Sequence, residues 1–266
     1  MHLPKNFIIF LMLVSFFSCK KKEDPETVNS GRISFYFDHK INGSNIDFDT
    51  LNYTNAAGNH YMVNEIQYFI SDVVLYKNDG SSILLDAWED IHYVDTDLPE
   101  TREYAFQDEV PAGIYDSISF IFGISEEKNQ SLMFVNPPES NMFWPEVLGG
   151  GYHYMKLNGK WKNPQNEILP FNFHLGIGQI VDTASQEITG FVQNYFRVSL
   201  PGSGFSIAAG DTLMFNIIMN AEEWFENPNT FDFNYWGSHI MQNQAAMQAA
   251  KENGHNVFVI YRIGED

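Results

Sequence analysis

Alternation of apolar and polar residues with a period of two limits most sharply what this chain can fold into. In residues 115–125 (YDSISFIFGIS), Ile118, Phe120, Phe122 and Ile124 alternate with small or polar neighbours, the pattern of a half-buried strand. Residues 32–39 (RISFYFDH) repeat it, with Ile33, Phe35 and Phe37 on one face and Ser34, Tyr36 and Asp38 on the other, which puts His39 on the apolar side. Residues 60–77 are long enough for a bent strand or a strand pair, and residues 82–95 read as a further pair or as strand and loop. Strand-like runs return at 192–200, 212–220 and 256–263. Turn signals at 40–43, 55–59, 78–80 and 110–113 punctuate them, and Pro137-Pro138 excludes regular structure from the stretch 126–140.

One helix interrupts this pattern. Residues 239–253 (HIMQNQAAMQAAKEN) have helical composition, with Ser238 as N-cap, Gly254 at C′, and a narrow apolar stripe of Ile240, Met241, Ala245 and Ala249. Strands without regular helical alternation predict a mainly β fold, an antiparallel β-sandwich with a peripheral C-terminal helix. The chain has 266 residues, a length that all-β domains reach as single units, so residues 32–266 are expected to form one domain. Aromatics at 15 % against charged residues at 18 % support a folded, aromatic-rich core over a disordered chain.

The N-terminus reads as an address. Lys5 precedes the uncharged run 7–17, too short to span a bilayer comfortably and suited to a secretory signal, and Ser18-Cys19 follows. Residues 1–18 are therefore expected to be a lipoprotein signal peptide, Cys19 the lipid-attachment residue, and residues 19–31 a lipidated tether to an outer membrane, on its periplasmic or cell-surface side. The KKKED at 20–24 resembles a lysine-then-acid surface-export signal and equally suits an ordinary charged tether.

Loss of residues 1–18 removes Lys5 and no acid, leaving 14 basic against 34 acidic side chains, a net charge of −20. That field repels polyanions and excludes nucleic acid as a partner. Cys19 is the sole cysteine, so no internal disulfide supports the core. No GxSxG, Walker loop, GxGxxG, HExxH or CxxC occurs, and no spacing selects a catalytic carboxylate pair, so no enzyme activity is expected.

Residues 141–176 concentrate what chemistry the sequence offers: Trp144, His153, His174 and the run Gly149-Gly150-Gly151. Imidazole is the commonest transition-metal ligand. In the strand ending FNFHLG, Phe171, Phe173 and Leu175 face one way, so Asn172 and His174 face the other. His39 also ends a strand, where ligands from distant segments of a sandwich can converge. Tyr152 and Tyr154 make the surroundings of His153 read as strand packing, and Met155, Met214 and Met219 fall in core patterns.

The order of segments, FYFDH, then YTNAAGNHYMVNEIQYFISDVVLYKNDG, VPAGIYDSISFIFGIS, MFW, GGGYHYMKLNGKW, FNFHLG and SHIMQNQAAMQAAKENGHNVFVI, resembles the methanobactin-partner (MbnP)-like family of bacterial lipoprotein domains. The resemblance implies a periplasmic or surface β-sandwich that binds one copper ion through two histidines and a tryptophan oxidised to kynurenine by a dihaem peroxidase-like partner. It points to His39 and His174 as metal ligands and to Trp144 as the modified residue, with Trp236 and His239 as the rival pair. The function it implies is non-catalytic capture or delivery of copper. The alternative is a glycan- or protein-binding module that uses Trp88, Trp144, Trp161, Trp224 or Trp236 as stacking platforms.

Overall fold

The computed structural model describes residues 29–263. The expected signal peptide, Cys19 and residues 19–28 of the tether lie outside them. The strands that carry the fold are β1 (Ser30–Ile41), β2 (His60–Lys77), β3 (Gly113–Phe122), β4 (Met155–Lys162), β5 (Ile168–Leu175), β6 (Phe196–Leu200), β7 (Thr212–Asn220) and β8 (Phe258–Arg262).

One sheet runs β8-β7-β1, extended beyond β1 by the short strands Ser44–Asn45, Glu103–Ala105 and Val110–Pro111. The other runs β5-β4-β2-β3-β6. Pairings are antiparallel except β1 with β7, which are parallel and in register from Arg32↔Thr212 to Lys40↔Asn220. The two sheets close over one aromatic core. Phe37 of β1 meets Tyr68 of β2 edge to face at 6.1 Å, and Tyr68 stacks on Phe122 of β3 at 5.6 Å. Phe35, Phe37, Tyr68, Phe120 and Phe122 are all fully buried. Such side chains supply most of the hydrophobic stabilisation of a domain without disulfides.

The long 60–77 run is one strand, bent where its pairing with β3 slips between Ser71 and Val74 and Asp72 adopts φ 51°. The 192–200 run divides: Ile188–Val192 pairs with Gly178–Val181 in a hairpin of its own, and β6 starts at Phe196. The helix is shorter than its composition suggests, spanning Gln244–Gly254, with Asn243 rather than Ser238 as cap and its side chain accepting from the Ala246 N–H at 3.1 Å. Residues 238–239 are drawn instead onto the edge of β5, where His239 bridges Asn172 and the Asn172 N–H donates to the Ser238 carbonyl. Ile240 is buried beyond them. Among the described residues no helix is long and apolar enough to cross a membrane.

Candidate metal centre

β5 is an edge strand, and its side chains divide between the faces of its sheet. Tyr68, Met155 and Leu175 stand opposite one another across β2, β4 and β5 and share the inner face. One residue along, Gln67, Lys156 and His174 form a rung on the outer face, and Glu65, Asn158 and Asn172 form the next. His174 thus stands over the outside of the sheet, in the direction its place in FNFHLG predicts.

The segment before β4 covers that outer face. Gly149, Gly150 and Gly151 take φ of 122°, 70° and 75°, a left-handed run that side chains resist, and it folds the chain back on itself. The Trp144 N–H then donates to the Gly151 carbonyl, and the His153 N–H donates to that of Met142. Trp144 is fully buried, its indole Nε1 donates to the Leu148 carbonyl at 3.1 Å, and its ring lies so close to Gly176 that a Cβ there would meet Cε3 at 2.7 Å. Position 176 must therefore be glycine for the indole to seat.

This packing brings three rings together. Trp144 and His153 meet edge to face at 4.6 Å, and His153 and His174 at 5.1 Å with an interplanar angle of 83°. The His153 Nδ1–H donates to the Met142 carbonyl at 2.9 Å, which leaves Nε2 as the lone-pair nitrogen. The His174 Nε2–H donates to Asn158 Oδ1 at 2.7 Å, which leaves Nδ1 as the lone-pair nitrogen; that atom is buried and has no hydrogen-bond partner. Burial lowers both imidazoles to about 3, assisted by the charge of Lys156 and, at His174, by His153 beside it, so both rings are neutral at neutral pH. Lys156 spends its ammonium on the Asn141 carbonyl at 2.6 Å.

The remaining sequence candidates lie elsewhere. His39 is buried between the sheets, 5.7 Å from the Tyr68 ring, with its Nε2 hydrogen-bonded to the Tyr68 hydroxyl at 3.2 Å. Because Tyr68 belongs to the inner face and His174 to the outer, the sheet separates His39 from His174, and the two do not converge. Trp236 stacks on Phe231 at 5.9 Å and packs against Tyr235, whereas His239 is exposed and accepts from the Asn172 amide at 3.0 Å. His239 is close enough to depress His174 electrostatically, and it lines a shallow cavity of about 380 Å³ with Leu148, Met241, Gln242 and Asn243. Of the five tryptophans proposed as stacking platforms, Trp144 and Trp224 are fully buried, Trp161 is 5 % exposed and Trp236 is half-buried, while Trp88 is 67 % exposed.

The sequence reading named His153 but set it aside as strand packing, and it did not single out Asn158 or Glu65, which the structure brings beside His174. The available signal was the glycine run: three consecutive glycines mark a tight reversal, so the residues after them reach β4 from a loop and need not obey strand parity. Among the described residues no group of three or more His, Cys, Asp or Glu side chains is arranged to hold a metal. The chemistry present is instead a pair of neutral imidazoles, one with an orphaned lone pair, walled by an indole. A second neutral nitrogen ligand beside such a lone pair fits a borderline or soft metal ion.

Comparison with known proteins accords with this architecture. The MbnP family model matches residues 30–244. Among solved structures, MbnP from Methylosinus trichosporium superposes with a TM-score of 0.53 at 13 % identity, covering 88 % of this chain and 99 % of that one, a likeness of fold. No curated protein matches the chain. With a family match over most of its length, the chain belongs to the MbnP family.

Proposed function

We propose that this protein is a lipid-anchored, extracytoplasmic copper-binding protein that captures or delivers the ion without transforming a substrate. His153 and His174 would hold the metal, with Trp144 against them. The observation that carries this reading is the buried, unpartnered Nδ1 of His174 beside a second neutral imidazole. A lone pair buried without a donor costs free energy, and a bound cation removes that cost. Copper would bring Lewis acidity and one-electron redox chemistry; the protein supplies two nitrogens already freed of protons, a rigid seat and exclusion of water.

In the same proposal Trp144 is the tryptophan that a dihaem peroxidase-like partner oxidises to kynurenine, which would place a new ketone oxygen in the cluster and free the existing indole nitrogen as an arylamine. Peptide mass spectrometry of protein from its native host would read this as a mass change on the Trp144 peptide. Cys19 carries the lipid, and the acidic surface faces the extracytoplasmic space.

Metal analysis of the purified protein tests the central part. One copper per chain is expected, lost in His153→Ala and in His174→Ala and retained in His39→Ala. Unchanged copper in the first two variants would refute the site.

A further inference from the structure

The rung of outer-face residues beside His174 has a polarity that the pairing of strands alone does not require. Asn158 sits between Glu65 on β2 and His174 on β5. Its Nδ2 donates to Glu65 Oε1 at 2.6 Å, and its Oδ1 accepts from His174 Nε2 at 2.7 Å. A carboxylate only accepts hydrogen bonds, so Glu65 decides which way the amide points. The amide in turn decides which nitrogen of His174 carries the proton. Were the amide reversed, its NH₂ would face Nε2, the proton would move to Nδ1, and the buried lone pair would be lost.

We propose that Glu65 and Asn158 are positioning residues that fix His174 as the Nε2–H tautomer and so present Nδ1 to the metal. This rests on the copper reading given above. The partner ring is set in the opposite sense by a backbone acceptor: the Met142 carbonyl holds the His153 proton on Nδ1 and frees Nε2. One imidazole is therefore oriented by main chain and cannot be reset by mutation at its acceptor, whereas the other depends on two side chains. Outer hydrogen bonds of this kind orient ligands and raise their basicity. The relay lies on the sheet face, with Glu65, Asn158 and His174 all part-exposed, so changing it does not open the core.

The test uses ¹⁵N-labelled, metal-free protein at pH 7, with the protonated ring nitrogen of His174 read from its long-range ¹H–¹⁵N spectrum, alongside a copper titration. Wild type is expected to show Nε2 protonated. Asn158→Leu should lose that preference and bind copper roughly 10- to 100-fold more weakly. The double variant Glu65→Gln/Asn158→Asp exchanges acid and amide at nearly constant volume and charge; its carboxylate at 158 still accepts from Nε2–H, so both tautomer and affinity should return. A proton on Nδ1 in wild type, or an unchanged tautomer in Asn158→Leu, would overturn the relay. Wild-type protein with the expected tautomer but no affinity for copper would leave the relay standing and refute the copper reading instead.

Discussion

His39 and His174 look alike by the measures usually applied to functional histidines. Each lies at or near the end of a strand in an aromatic setting, and burial lowers each to about 3. Their surroundings differ in kind. His39 lies between the sheets with its Nε2 taken by Tyr68, and β1 is locked there by Arg102, which pairs with Asp38 at 2.7 Å and donates to the Phe37 carbonyl. His174 lies outside the sheet, with one nitrogen held by Asn158 and the other buried with nothing to bond. Burial and a depressed pKa therefore do not separate a core histidine from a ligand. The unpartnered lone pair and the second imidazole at 5.1 Å are what mark His174 as the candidate ligand.

Emptying the two positions gives the largest contrast. His174→Ala should abolish copper binding with modest change in stability, because its ring is only partly covered. His39→Ala should retain copper and lose roughly 2–4 kcal/mol of stability, the usual cost of emptying a buried site. Denaturant unfolding beside metal analysis checks both, and a copper-free His39→Ala protein that is still folded would erase the distinction.

A pH series of unfolding midpoints on metal-free protein comes next. His39, His153 and His174 are neutral when folded and take up a proton below about 6.5 when unfolded. Their contribution is complete above pH 6.5 and is lost as pH falls toward about 3, by up to about 1.4 kcal/mol per pH unit for each. His39→Gln and His174→Gln should each flatten that fall. Equal flattening would show that burial governs both; a smaller effect at His174 would show that the outer face admits water to its ring.

Tyr68→Phe should have the smallest effect. It removes the hydroxyl from His39 without opening a cavity, at a cost of about 1 kcal/mol, and leaves copper binding unchanged.

Much of the fold was legible because strand parity is a local signal. The alternation in 115–125 and 32–39 placed β3 and β1 and put His39 on the apolar side, and parity within FNFHLG turned His174 away from Phe173 and Leu175. Those two inferences, taken together with the register of β2, β4 and β5, already imply that His39 and His174 face apart; the register was what the sequence could not supply. The contact of His153 with His174 escaped for a different reason. Residues 141–154 follow no period, and their course is set by positive-φ glycines and by single hydrogen bonds such as that from Trp144 to Gly151. The helix was placed five residues early because its composition outweighed a tertiary bridge between His239 and Asn172 that no local pattern reveals.

The most direct test of the account is a crystal structure of the copper-loaded protein with anomalous data collected at the copper edge. One anomalous peak is predicted, on the outer face of the sheet and within bonding distance of both His153 Nε2 and His174 Nδ1. A peak at His39 inside the sandwich, or at His239 beside Trp236 with none at His153, would contradict it.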